Sequence, residues 1–332
     1  MTQIVSTTPG LYPLPDWAKD DLQDRKGNQK EGLISGDESG VIEGVYATVR
    51  EELIERQETA GLDRIVEGQA RWDDMLAHPL AVHDSVDTRG IVRYYDNNNF
   101  YREPAVTGEL TPDGDVASEL SAAAEQTAGS LQAVLPGPYS LADLATDEYY
   151  GDEAAFLDAI AGFLADEAGQ FPAVETLFLL EPSLVTDPPG TDDEHERVPA
   201  AIDTVADALD GDVVVYPYWG ALEDKVYAHV MDADIDALGF DLVSAPDDSV
   251  YNAQEYGTPE DVALGVVDGQ NTCVESPGTI RERVEWFDAQ TPQNDHERVY
   301  ATTNTETFYL PVGRFEEKLE ALAAAPRQEV RA

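Results

Sequence analysis

The sequence holds one cysteine, Cys273, and is poor in positive charge: 20 Lys and Arg stand against 67 Asp and Glu, a formal net charge of -47. A lone cysteine excludes an intramolecular disulfide and a multi-cysteine metal site, and it fits a reducing compartment. So acidic a chain repels nucleic acid at moderate ionic strength. No apolar run approaches the roughly 18 residues of a membrane span. Met1 to Gly10 also lacks the charged and apolar regions of a signal peptide. The expectation is a soluble cytoplasmic protein with neither nucleic acid nor membrane as partner.

Histidine is scarce as well. The five, His78, His83, His195, His229 and His296, lack the close spacing of a zinc motif. His195, in an acidic stretch, and His296, beside Asp295, read as surface residues. His83-Asp84 is the only pair that could orient an imidazole for general-base work. A Ser/His/Asp elbow and a Gly-rich phosphate loop are both missing.

What is present is acid, spread from Asp16 to Glu329 rather than blocked into a tail. That distribution reads as the solvated coat of a halophile's protein. At molar salt the Debye length falls to about 3 Å, so self-repulsion within the coat is screened.

Strand and helix patterns alternate about eight times. Gln3 to Leu11 reads as a first strand and Lys19 to Ser39 as a polar loop. Ile42, Val45, Tyr46, Val49 and Leu53 recur at helical spacing before the stop at Gly61. Leu62 to Val66 reads as the second strand. Residues 90 to 106, turning at Asp96-Asn97-Asn98-Asn99, suggest an inserted β-hairpin. Its Tyr94, Tyr95, Phe100 and Tyr101 either cover a site or pack on one another.

Later strands are expected at Leu131–Pro138, Thr176–Leu180, Val213–Val215, Ile235–Val243, Ala263–Asp268 and Val299–Thr303, with an acidic loop at Thr186–Arg197. This alternation implies an α/β fold in one domain over 1–332. The expected architecture is a single (β/α)8 TIM-type barrel with a β-hairpin inserted after the second strand. Its site belongs at the strand C-terminal ends. The pocket-lining candidates there are Glu67, Gln69, Arg71, Asp96, Glu181, Tyr216, Tyr218, Asp268, Asn304 and Glu306.

The strand-end motifs run in a recognisable order. They are Thr7-Thr8-Pro9-Gly10-Leu11-Tyr12-Pro13, Gln57 to Asp63 with Glu67-Gly68-Gln69, Gly137-Pro138-Tyr139-Ser140-Leu141, and Glu181-Pro182-Ser183-Leu184. Val213 to Lys225 and Asn304-Thr305-Glu306, with Leu310-Pro311 and Lys318-Leu319, complete the series. In this order they resemble the cobalamin-independent methionine synthases, a family of two homologous barrels that bind folate and homocysteine, the C-terminal one holding a catalytic zinc.

The departures fall on the chemistry. The resemblance places the family's His-x-Cys pair on Tyr216 and Tyr218, its Glu ligand near Gly239 and its last Cys on Thr305. Phenols, a glycine and a hydroxyl do not replace such a zinc set. The family's amino-acid cradle falls on Leu11, Gln69 and Leu180, and its expected tryptophan on Leu144.

The resemblance therefore implies a metal-free, N-terminal-like or paralogous member from a halophilic archaeon with no tightly bound cofactor. It would work with a zinc-bearing homologous methionine synthase subunit and a folate-type (methyltetrahydrofolate or methyltetrahydropterin) or corrinoid methyl donor. The alternatives are a stand-alone metal-free methyltransferase or lyase of the same superfamily, with a small-molecule substrate, and a non-catalytic scaffold barrel.

Overall fold

The computed structural model describes residues 2–23, 40–72, 74–93, 95, 101–294 and 296–327. Asp96, Tyr94, Phe100 and the hairpin turn lie outside the described residues, as do Asp295 and most of the Lys19–Ser39 stretch.

Eight parallel strands form one curled sheet in the order β1 (Gln3–Ser6), β11 (Arg298–Thr303), β10 (Asp261–Val267), β9 (Ala237–Asp241), β8 (Asp212–Tyr216), β7 (Thr176–Leu180), β5 (Leu131–Pro136), β2 (Ile65–Val66). Runs such as DVVVY and DVALGVV are buried almost throughout, as expected when helices cover one face of a parallel sheet and the strands' own side chains fill the other. The principal connecting helices are Gly40–Ala60, Asp115–Gln126, Glu153–Ala168, Asp192–Ala206, Pro246–Tyr256, Pro277–Gln290 and Val312–Ala324.

The ring's last junction, between β1 and β2, has no strand ladder among the described residues. Ser6 takes its place: its carbonyl accepts from the Asp63 and Arg64 amides at 3.1 and 3.2 Å. Its amide and hydroxyl donate to the Asp63 carboxylate at 2.8 and 2.7 Å. Gln57 stands in for a β1 partner at Val66, its side chain accepting from the Val66 amide and donating to the Val66 carbonyl, both at 2.8 Å. Gln132 on β5 ties the gap from within, accepting from the Thr7 hydroxyl at 2.6 Å and donating to the Thr8 carbonyl at 2.8 Å.

A separate sheet, β3 (Val86–Val92), β4 (Tyr101–Val106) and β6 (Thr146–Asp147), follows the second barrel strand, with β3 and β4 antiparallel. This is the inserted hairpin, four residues longer at its start than the sequence suggested.

Two stretches read as loops are partly helical. Asp16–Gln23 is a helix. A short helix, Ser183–Thr186, leads into the acidic stretch, which runs into the start of Asp192–Ala206. There Thr191 and Glu194 form a reciprocal capping box, and Asp192, Asp193 and Glu194 occupy the first turn, where carboxylates favour the helix dipole.

Arg298 anchors the floor of the barrel. It pairs with Asp212, and its Nε lies 2.7 Å from Asp261. The Tyr300 hydroxyl also donates to Asp212 at 2.8 Å. All of these side chains come from the first residues of their strands, so the opposite, C-terminal ends are left for a site.

Candidate functional site

Among the described residues, three other than glycine hold positive φ: Leu11 at 51°, Gln69 at 49° and Trp219 at 70°. Each follows the C-terminal end of a barrel strand, β1, β2 and β8. Backbone strain of this kind persists where surrounding contacts over-determine it. At Gln69 those contacts are hydrogen bonds: its Oε1 accepts from the Leu11 amide at 2.8 Å, and its own backbone amide donates to Glu67 Oε2 at 2.8 Å. Gly10 makes this possible, since a Cβ there would stand 2.2 Å from Gln69 Oε1. The Gln69 amide therefore turns in on Leu11 and closes that side of the mouth.

Arg71 points to the wall rather than the axis. It pairs with Asp115 at 2.9 Å and Glu119 at 3.4 Å, and Arg50 meets Glu119 at 3.1 Å. His78 Nε2 lies 2.9 Å from Asp115 and its ring stacks on Trp72. Burial would raise the Asp115 carboxyl, but His78 and Arg71 hold it below the usual carboxylate range. Glu67 joins this cluster from inside, where burial and then the Glu119 charge push its carboxyl up.

Glu181 closes β7 and turns onto the N-terminus of helix Pro138–Leu144. It accepts from the Tyr139 and Ser140 amides at 3.0 and 2.7 Å. Burial nonetheless pushes its carboxyl up to about 7. Gly137 is required: a Cβ there would stand 2.1 Å from Glu181 Cδ. The Ser140 hydroxyl in turn accepts from the Ser183 amide at 3.0 Å, and the Ser183 hydroxyl lies 3.0 Å from that of Tyr95.

Aromatic rings run without a break from hairpin to floor. Tyr101 meets Tyr95 at 6.0 Å between centroids, Tyr95 meets Trp219 at 4.5 Å, and Trp219 meets Tyr218 at 4.8 Å. Tyr216, Phe178 and Tyr300 continue the series at 6.2, 5.5 and 6.2 Å. The hairpin aromatics Tyr95 and Tyr101 thus cover the mouth.

Tyr216 fills the barrel axis. Its hydroxyl donates to the Thr303 carbonyl at 2.8 Å. A Cβ on Gly239 would stand 2.3 Å from its ring, and one on Gly265 would stand 2.7 Å from its hydroxyl. The Tyr218 hydroxyl is directed to Met75 Sδ at 3.1 Å. Burial holds both phenols well above their ordinary range. Thr305 donates its hydroxyl to Glu306, whose carboxyl burial also pushes up. The other Glu306 oxygen, Oε1, is buried with no hydrogen-bond partner.

Asp268 and Asn304 frame a cavity of about 440 Å³ with Trp219, Ser244, Gln270 and Asn271. Asn304 accepts from the Gly269 amide at 3.0 Å and donates to Asp241 at 3.2 Å. Asp241 was not legible as a candidate because the expected strand ran on to Val243. Its signal was the same as that of Glu181, a carboxylate closing an apolar strand. It accepts from the Val243 and Ser244 amides at 3.0 and 2.8 Å, and burial raises its carboxyl.

The structure thus divides the candidates into Glu67, Gln69 and Arg71 beside β2, Glu181 under the hairpin, and Tyr216, Tyr218, Asp268, Asn304 and Glu306 at β8 to β11. A larger groove of about 1190 Å³ lies outside this mouth, lined by Asp143, Asp187, Asp193 and Glu194 among others, with Arg197 its one basic lining residue among those described.

The histidines correct the surface reading. His195 and His296 are both buried. His195 stacks on His229 at 5.4 Å, and His296 meets Thr258 at 3.1 Å and Asp288 at 3.4 Å. The His83 ring is held by the Ser85 amide and the Thr111 carbonyl at 2.9 and 2.8 Å. It is the backbone, rather than Asp84, that orients it.

A ring of parallel strands, covered by helices and carrying its polar groups at the strand C-terminal ends, defines a β/α barrel of TIM type. The model of the cobalamin-independent synthase N-terminal domain matches residues 83–290, and the chain belongs to that family.

Relatives agree. The chain is 21% identical over 290 residues to the methionine synthase of Sulfolobus acidocaldarius, a match covering 85% of this chain and 80% of that one. It is 29% identical over 196 residues to the 5-methyltetrahydropteroyltriglutamate–homocysteine methyltransferase of Salinibacter ruber, covering 56% of this chain but 25% of that longer protein. In fold it is similar to a B12-independent methionine synthase from a Shewanella species, with a TM-score of 0.79 and 17% identity over 98% of this chain and 97% of that one.

Among the described residues, no helix is long and apolar enough to cross a membrane, and no group of three or more His, Cys, Asp or Glu is placed to hold a metal ion.

Proposed function

We propose that this chain is the zinc-free component of a two-part, cytoplasmic methionine synthase. A zinc-bearing homologous subunit holds homocysteine, and this barrel supports methyl transfer to it from a folate-type or corrinoid donor. The observation that carries the reading is Tyr216. Its ring occupies the space that a side chain on Gly239 would need, and its hydroxyl is committed to Thr303.

The remaining positions of the resembling zinc set point the same way. Tyr218 is directed to Met75 and Thr305 to Glu306, so phenols and a hydroxyl already engaged elsewhere stand where thiolate and imidazole ligands are needed. These residues do not fit a zinc ion. The amino-acid cradle is closed as well, by the Gln69–Leu11 hydrogen bond and by apolar Leu180. Similarity to the methionine synthase of Sulfolobus acidocaldarius, 80% of which is covered, supports a part in the same chemistry.

The test is co-purification from the source organism in molar salt, followed by reconstitution. A stable complex with a zinc-bearing homologue is expected, with methyl transfer only by the pair. Methyl transfer by this chain alone, or one equivalent of tightly bound zinc in it by elemental analysis, would overturn the reading.

A further inference from the structure

The cavity at the ends of β9, β10 and β11 is not accounted for by the two-component reading. It measures about 440 Å³ and is open to solvent at the exposed Gln270, Asn271 and Thr272. Among the described residues its lining contains no Lys or Arg, and Asp268 is the one charged side chain. Asp241 stands directly behind Asn304 and Glu306 lies beside Gln270, with burial raising both carboxyls. With no basic side chain offsetting Asp268 among the described residues, the cavity disfavours phosphate or carboxylate ligands.

Its polar groups are also largely spent on the loops that carry them. Asp268 Oδ1 accepts from the Gln270 and Asn271 amides, both at 2.9 Å. Asn271 Oδ1 accepts from the Cys273 amide at 2.9 Å. Asn304 uses its oxygen on Gly269 and its nitrogen on Asp241 and Ser244. What remains for a ligand is negative charge and an aromatic ring, with few directional hydrogen bonds. Trp219 supplies the ring, fixed at φ 70° and held edge-on by Tyr95 and Tyr218. A cation that makes no hydrogen bonds of its own suits such a site, because it loses little on leaving water and gains from the indole quadrupole.

We infer that this cavity binds a small methylated organic cation, a quaternary ammonium or a sulfonium, with Trp219 as the cation–π platform and Asp268 as the counter-charge. The inference goes beyond the two-component reading and fails or stands separately, since binding needs neither a partner nor turnover.

The test uses the full chain in constant molar KCl, with choline as the probe and its neutral carbon isostere, 3,3-dimethylbutan-1-ol, as the control. Saturable choline binding by calorimetry is expected, about tenfold tighter than the isostere, which is the ratio a cation–π contact of ordinary strength gives. Trp219→Leu and Asp268→Asn should each weaken choline by about tenfold while leaving the weak isostere binding unchanged. Absence of saturable choline binding to the unsubstituted chain, or equal affinity for the isostere, overturns the proposal without recourse to any variant. So does choline binding that survives Trp219→Leu.

Discussion

Tyr216 and Gly239, on adjacent barrel strands, share one volume: a Cβ on the glycine would lie 2.3 Å from the tyrosine ring and 3.1 Å from the tyrosine Cα. The aromatic plug and the missing side chain are thus two halves of one packing solution. Gly239→Ala should destabilise the barrel by about 1–3 kcal/mol, the usual cost of overpacking. In a Tyr216→Ala background the same change should cost much less, and denaturation of the four proteins in molar KCl gives the coupling.

Glu181 gives a pH dependence of definite sign. Its carboxyl is raised from the ordinary 4.5 to about 7 in the folded protein. Between these values the folded state holds a proton that the unfolded state has lost, so its contribution to stability falls as pH rises from about 4.5 to about 7 and is level outside that window. Glu181→Gln removes this titration. The stability of the unsubstituted protein relative to the variant should decline by a few kcal/mol across the window, read from denaturation midpoints at pH 4.5 and 7.5.

Lys318 is fully buried, with its Nζ 2.7 Å from Glu275 and bonded to the Cys273 carbonyl. Glu275 in turn accepts from the Asp268 amide at 2.9 Å, so this lysine holds the loop after β10. Lys318→Met leaves a largely buried carboxylate without its lysine and should cost about 3 kcal/mol. Faster alkylation of the exposed Cys273 thiol would report the loosened loop.

The acidic coat predicts salt dependence. With a formal net charge of -47, self-repulsion opposes the compact state wherever it is unscreened. Thermal midpoints should rise steadily between about 0.1 M and 1 M KCl as the Debye length shrinks from about 10 to 3 Å. A flat profile would show that the coat has no such role.

The barrel was legible because buried parallel strands leave continuous β-branched runs, and Thr176–Leu180 was placed to the residue. β2 was not: it begins at Ile65 rather than Leu62, and at Val66 Gln57, a side chain from the preceding helix, takes the place of a strand partner. The buried histidines were misread for a related reason. His195 and His296 sit among charges in sequence, while their burial comes from helices and loops packed from elsewhere. For the site, the carboxylates closing strands could be picked out. Which of them turn inward onto backbone amides, as Glu181 and Glu67 do, depends on loops whose course has no local signature.

The pairing of β1 with β11 sets Gln3 beside Arg298, nearly the full length of the chain apart. Such a contact cannot form until the ribosome has released almost everything between the two residues. The first strand must wait, unpaired along that edge, while the rest of the ring assembles. Ring closure therefore waits on the synthesis of Arg298, and β1 is among the last of the barrel strands to be locked in place.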